Sequence, residues 1–118
     1  MSRGPVSEKA IEKALSFATL RGAVYFFLPG RDSPANFEIV NTVGVTLISV
    51  KMARCLHGSL ADIESTYRDA VFRLRVVPVA PNVFRELWLL SRYGRWRFFE
   101  IRDRDLVELA IPPGRGVL

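Results

Sequence analysis

Two short segments of the chain put polar and charged side chains onto a common face. Residues two apart on a strand point the same way. Asn36 and Glu38 therefore form one pair, and Ser49 and Lys51 another. Asparagine and serine offer neutral oxygens, glutamate a charged one, and lysine a compact cation. Upstream, Glu8 and Glu12 are four residues apart, which is one face of a helix. Downstream the chain is rich in guanidinium groups, whose planar fork suits phosphate. Arg54, Arg68, Arg73 and Arg75 follow Lys51, and Arg92, Arg95, Arg97, Arg102 and Arg104 surround the last strand-like runs, with Tyr93 and Trp96 among them. Basic residues interleaved with aromatic ones bind backbone phosphates and stack on bases. A packed hairpin with solvated arginines gives the same pattern, and alternation sets Trp96 and Phe98 on one face, which favours packing. In isolation, Lys51 reads as a solvated lysine, Glu38 as a polar residue on a half-exposed strand, and Glu8 and Glu12 as helix-surface charges. His57 has no metal-ligand spacing around it, and Cys55 reads as a small packing residue. No glycine-rich nucleotide loop, zinc pattern or nucleophile triad is present.

The elements that must position these residues follow from periodicity. Ser7 can cap a first helix, Glu8 suits its first turn, and Ala10, Ile11, Ala14, Leu15 and Ala18 form its apolar stripe, which Arg21-Gly22 ends. Residues 23–28 are a continuous apolar run, as in a strand covered on both faces. After a turn-rich break with Gly30, Asp32 and Ser33, residues 37–43 and 45–53 read as second and third strands joined at Gly44. Ser59 and Asp62 resemble a capping box, opening one long helix whose stripe is Leu60, Ile63, Tyr67, Ala70, Val71 and Leu74. Pro78 and Pro81 close that segment. Residues 86–92 and 96–101 read as two strands about a turn at Tyr93-Gly94-Arg95, residues 103–111 as a short helix or a strand, and residues 112–118 as a loose tail. A helix between the third and fourth strands implies a crossover within a mixed sheet.

With that order in place, the segments Ser33-Pro34-Ala35-Asn36-Phe37-Glu38-Ile39-Val40 and Thr46-Leu47-Ile48-Ser49-Val50-Lys51 carry a resemblance. Over residues 7–101 the chain resembles the PD-(D/E)xK nuclease superfamily, the restriction-endonuclease-like and archaeal Holliday-junction-resolvase-like fold. The resemblance implies an α/β domain with an αβββαβ core, its mixed sheet flanked by helices, plus an extra C-terminal strand. In that superfamily a glutamate on the first helix, an aspartate opening the second strand and an acid-x-lysine at the end of the third form a magnesium-dependent site. Carboxylates hold the ion, which activates water and stabilises charge on the attacked phosphate, while the lysine adds a cation. Carried over, the catalytic positions are Asn36, Ser49 and Lys51, of which only Lys51 keeps the superfamily's residue type. Two neutral replacements weaken such a metal site severely. Glu38, one pleat or roughly 7 Å beyond Asn36, is the nearest candidate replacement and Asp32 a second. Glu12 or Glu8 matches the helical glutamate, so Glu38 and Glu12 are the candidate metal ligands. Lys51, Arg54, Arg68 and Arg73 are the candidate nucleic-acid contacts.

Composition agrees with this reading. The 118 residues are 49% hydrophobic and 25% charged, which suits one globular domain with a core at 7–101 and an extension at 102–118. The net charge is +5, and 14 of 17 basic residues are arginine. That charge favours nucleic acid as partner, an arginine-rich codon bias gives the same balance, and the resemblance implies DNA more than RNA. No apolar run reaches the roughly 20 residues of a membrane span, no signal pattern opens the chain, and one cysteine forms no internal disulfide, so the default compartment is the cytoplasm. The expected function is a nuclease-fold protein with a degenerate metal site that binds nucleic acid with lost or weakened phosphodiester cleavage. The alternatives are an active endodeoxyribonuclease using magnesium or manganese at a rearranged site, and an assembly module, possible as a homodimer, in which the apolar stretch 106–111 pairs with a partner.

Overall fold

The computed structural model describes residues 8–30, 32–54 and 56–109. The Ser7 cap, Cys55, the end of the apolar stretch at 110–111 and the expected tail at 112–118 lie outside the described residues. The first helix, α1 (Glu8–Ala18), buries Ala10, Ala14 and Ala18 completely. Three alanines four residues apart form a flat stripe that lets the helix lie close to a sheet. Strands β1 (Ala23–Phe26), β2 (Phe37–Val40) and β3 (Val45–Ala53) follow. The crossover consists of α2 (Leu60–Thr66) and α3 (Arg68–Val76), and it leads into β4 (Val83–Ser91), β5 (Trp96–Ile101) and β6 (Leu106–Leu109). The six strands lie in sequence order in one sheet. β3 and β4 run parallel, and every other neighbouring pair is antiparallel.

The sheet separates two apolar clusters. On one side Phe37, Ile39, Ile48, Val50, Trp88, Leu90 and Phe98 pack with the α1 alanines. On the other, Leu47, Leu87, Leu89, Phe99 and Ile101 pack with Ile63, Val71 and Leu74 of the crossover helices. Alternation along β3 and β4 sends successive side chains to opposite faces, so both strands are buried over most of their length. Trp96 and Phe98 stack at 5.6 Å with Phe17 set edge-on against both, so these aromatics serve packing.

Turn chemistry fixes the connections. Gly44 takes a φ of +150° against Asn82, where a side chain would collide with the Asn82 carbonyl. Asn41 holds that turn by accepting from Val43 N–H at 2.9 Å and donating to the Arg21 carbonyl at 2.9 Å. Ser59 caps α2 with the reciprocal Ser59–Asp62 capping box present. In the hairpin after β4, the Ser91 hydroxyl accepts from Tyr93 and Arg95 N–H.

Two expectations are corrected and one open choice, helix or strand at 103–111, is decided over the described residues. Residues 23–28 do not form a strand covered on both faces: β1 stops at Phe26 and is an edge strand, with Tyr25, Phe26 and Leu28 exposed. The second helical segment is two helices, because Tyr67 leaves helical geometry at φ −109°, ψ 32°. Residues 106–109 form a strand paired with β5, and Leu106 is buried in the sheet's own core. The described part of that stretch is thus an edge strand of the sheet, with Leu106 turned into the core.

Candidate functional site

Pairing between β2 and β3 ends at Phe37 opposite Ile48. Just beyond that end, Asn36 ties three segments together. Its N–H donates to the Ile48 carbonyl at 2.9 Å, and its carbonyl accepts from Phe27 N–H at 3.1 Å. Its side-chain Oδ1 accepts from Val50 N–H at 2.7 Å. The side chain thus replaces the ladder bond that Val50 loses where the strands part. Two residues along β3, Ser49 and Lys51 follow each other on the face shared with the crossover helices, Ser49 buried and Lys51 half-buried.

A cleft of about 940 Å³ opens at this point. From α1 it receives Glu8, Ile11, Glu12 and Leu15; from β1 and the segment that follows, Phe26, Phe27 and Pro29. The stretch Ser33 to Asn36 forms its floor, β3 contributes Ser49 and Lys51, and α3 contributes Asp69, Ala70 and Arg73. The stretch is shaped locally: Ser33 donates through its hydroxyl to the Leu28 carbonyl and through its N–H to the Gly30 carbonyl.

The structure therefore brings together Asn36, Ser49, Lys51, Glu12, Glu8 and Arg73, which lie far apart in sequence. It does not bring Glu38, Arg54, Arg68 or Asp32 to the cleft lining. Glu38 sits two positions further into the sheet, opposite Leu47 and Tyr25, where β1 and β3 flank it. Arg54 follows the end of β3, and Arg68 opens α3 on an exposed side of the helix. Asp69 was not singled out from sequence, yet it lines the cleft one turn before Arg73. The i, i+4 spacing of Asp69 and Arg73 beside the apolar stripe Ala70, Val71 and Leu74 was the available signal.

The basic residues divide by role. Arg75 pairs with Glu64 at 2.7 Å and donates to the Arg102 carbonyl, and Arg97 pairs with Glu108 at 2.7 Å. Arg85 is fully buried and donates to the Ile101, Arg75 and Val77 carbonyls and to Asp103, which fixes the C-terminal end of α3. Arg21 holds Glu86 through a largely buried bidentate pair, and Trp88 donates to the same carboxylate at 2.9 Å. These four arginines are structural. Arg54, Arg68, Arg73, Arg92, Arg95 and Arg104 are exposed and make no ion pair among the described residues. Among the described residues no three of His, Cys, Asp and Glu are grouped so as to hold a metal ion, and no helix is long and apolar enough to cross a membrane.

A mixed six-stranded sheet with one parallel step at its centre, a helix on one face and a helical crossover on the other, is the restriction-endonuclease-like fold. Among solved structures the chain is similar to Hjc, a Holliday junction resolvase from the archaeal hyperthermophile Archaeoglobus fulgidus. The TM-score is 0.56 and the identity 16%, over 91% of this chain and 89% of that one. No family model and no curated protein matches the sequence.

Proposed function

We propose that this protein binds nucleic acid through the cleft at the end of β3 and that its capacity for metal-dependent cleavage is lost or weak. The observation that carries the reading is the pairing of Lys51 and Arg73 in one cleft with neutral residues at the two strand positions where the resemblance expects acids. Magnesium takes oxygen ligands whose negative charge compensates its own. Asn36 and Ser49 bring oxygen without charge, Asn36 already accepts a bond from Val50, and Glu38 stands away from the cleft. The strand residues at these positions do not fit the ion. The cations do fit phosphate, and the net charge of +5 supports attraction to a polyanion. The similar protein is a Holliday junction resolvase, which makes branched DNA the first substrate to try.

The test is fluorescence anisotropy on a four-way DNA junction and a matched duplex across a salt series, with Lys51→Ala and Arg73→Ala. Binding should weaken as salt rises, and each variant should lower the slope of log K against log salt by about 1 if its side chain neutralises one phosphate. Absence of salt-sensitive binding to DNA and RNA refutes the proposal. A second reading, metal-dependent cleavage, draws on the carboxylates of Glu8, Glu12 and Asp69 that line the same cleft. Robust cleavage with magnesium or manganese that disappears in Lys51→Ala would establish it instead.

A further inference from the structure

The cleft's walls differ in chemistry. Phe26 is 57% exposed although its ring meets Phe37 edge-on at 5.7 Å. It stands in the lining with Ile11 and Glu12 of α1. The cations Lys51 and Arg73 come from β3 and α3. The α1–β1 side is apolar, aromatic and acidic, with Glu8 and Glu12, and the β3–α3 side carries both cations together with Asp69. A duplex backbone presents sugar and phosphate, which give the Phe26 ring nothing to stack on and the carboxylates nothing to accept from. An unpaired nucleotide presents a phosphate, an aromatic base and, on cytosine, adenine or guanine, amino groups that donate to carboxylates. Aromatic side chains stack on unpaired bases, and pulling a base from the helix is least costly where it is already unpaired. The volume, about 940 Å³, lies within the roughly 300–1,000 Å³ range of small-ligand pockets.

We infer that the cleft receives a single unpaired DNA nucleotide, its base on Phe26 and near Glu12, its phosphate toward Lys51 and Arg73. This rests on the nucleic-acid reading above and adds the substrate class to it. The assignment explains why a chain with neutral strand positions keeps an exposed aromatic ring at the cleft: the ring provides binding that does not depend on a metal.

The experiment compares the affinity of the full chain for a DNA duplex with that for the same duplex carrying one central unpaired cytosine. Labelled DNA and anisotropy supply the readout, for the wild type, Phe26→Leu and Phe72→Leu. Leucine keeps apolar bulk against Phe37, and thermal melts confirm that each variant is folded. Phe72 is an exposed ring on α3 outside the cleft lining and serves as the control. The wild type should prefer the bulged duplex roughly tenfold, Phe26→Leu should bring the ratio to about one, and Phe72→Leu should keep it. Equal wild-type affinity for the two DNAs, or a preference that survives in Phe26→Leu, overturns the inference and leaves the nucleic-acid reading standing. Failure to bind either DNA overturns the inference, and it overturns the nucleic-acid reading as well only when the four-way junction and RNA are not bound either.

Discussion

At the scale of single residues, the question is what Asn36 and Ser49 cost a metal site. Asn36 is held by backbone on both sides, and its Oδ1 accepts the Val50 N–H. An aspartate has the same shape and accepts the same bond, so Asn36→Asp adds charge without disturbing the strand end. Ser49 is buried, at 5% exposure, and a carboxylate there is penalised unless a cation compensates it. Asn36→Asp combined with Ser49→Asp should therefore melt below the wild type in a metal-free buffer and regain stability when magnesium is added. The gain grows with the ratio of free ion to dissociation constant, about 2.7 kcal/mol at a hundredfold excess. Thermal melts with and without 10-fold steps of magnesium measure it. A variant indifferent to magnesium would show that these two positions cannot rebuild a site, and that the helix carboxylates would have to supply one. The pairing of Ser49 with Lys51 was legible in the sequence because strand alternation fixes which residues of one strand share a face; that Asn36 joins them followed only from the resemblance. The distance of Glu38 was not: its chemistry suits a ligand, but the strands stay paired through its position and part only beyond it.

At the scale of elements, helix ends and turns were legible because their causes are local. The capping box at Ser59 and the turns at Gly44 and Tyr93-Gly94-Arg95 rest on residues a few positions apart. What lies at sheet edges was not legible, since an apolar run does not state its neighbours. Residues 23–28 lie at one edge and are exposed, and residues 106–109 become a strand only because β5 offers its free side. That second edge is held by a clamp on Arg97. Its guanidinium meets Glu108 of β6 at 2.7 and 2.8 Å and donates to the Leu56 and Gly58 carbonyls of the loop before α2. The hydrogen bond from Arg97, with its charge, holds the Glu108 carboxyl below the ordinary 4.5 against the opposing effect of partial burial. A depressed carboxylate contributes stability that is present above its unfolded value and is lost as pH falls through the folded one. Arg97 is raised by the same bond, so it stays charged across that range. Glu108→Gln should thus be less stable than the wild type near neutrality, by under about 1 kcal/mol for a pair this open to water. The gap should close as pH drops below about 4.5, the ordinary carboxyl value. Parallel melting curves from pH 7 to 3 test this; a gap that persists at the acid end would assign the effect to packing.

At the scale of the whole molecule, the cleft depends on both faces of the sheet. Glu8 and Glu12 ride on α1, Asp69 and Arg73 on α3, and the two helices belong to different apolar clusters. Their spacing holds only if the clusters form together. The parallel β3–β4 pair, nine residues in register from Val45 opposite Val83 to Ala53 opposite Ser91, is the shared wall, since its side chains supply both clusters. Buried charges brace each side: the Arg21–Glu86 pair sits with Thr46 and Trp88, and Arg85 ties β4 to the end of α3. Sequence alone could not show this coupling, because Arg85 and Glu86 find partners in other segments 8 to 65 residues away. The two tryptophans, Trp88 and Trp96, both belong to the α1 side. Their fluorescence therefore reports that side alone, which makes a cross-sheet test possible. Leu74→Ala removes a fully buried side chain from the opposite cluster and should cost about 2–5 kcal/mol. If the sheet makes the molecule one cooperative unit, as is usual for chains under 150 residues, the denaturant midpoint read by tryptophan fluorescence should fall by the same amount as that read by far-ultraviolet circular dichroism. Should the fluorescence transition stay at the wild-type midpoint while the dichroism transition moves, the helices on the two faces melt separately, and the distance between Glu12 and Arg73 across the cleft would not be fixed by the fold.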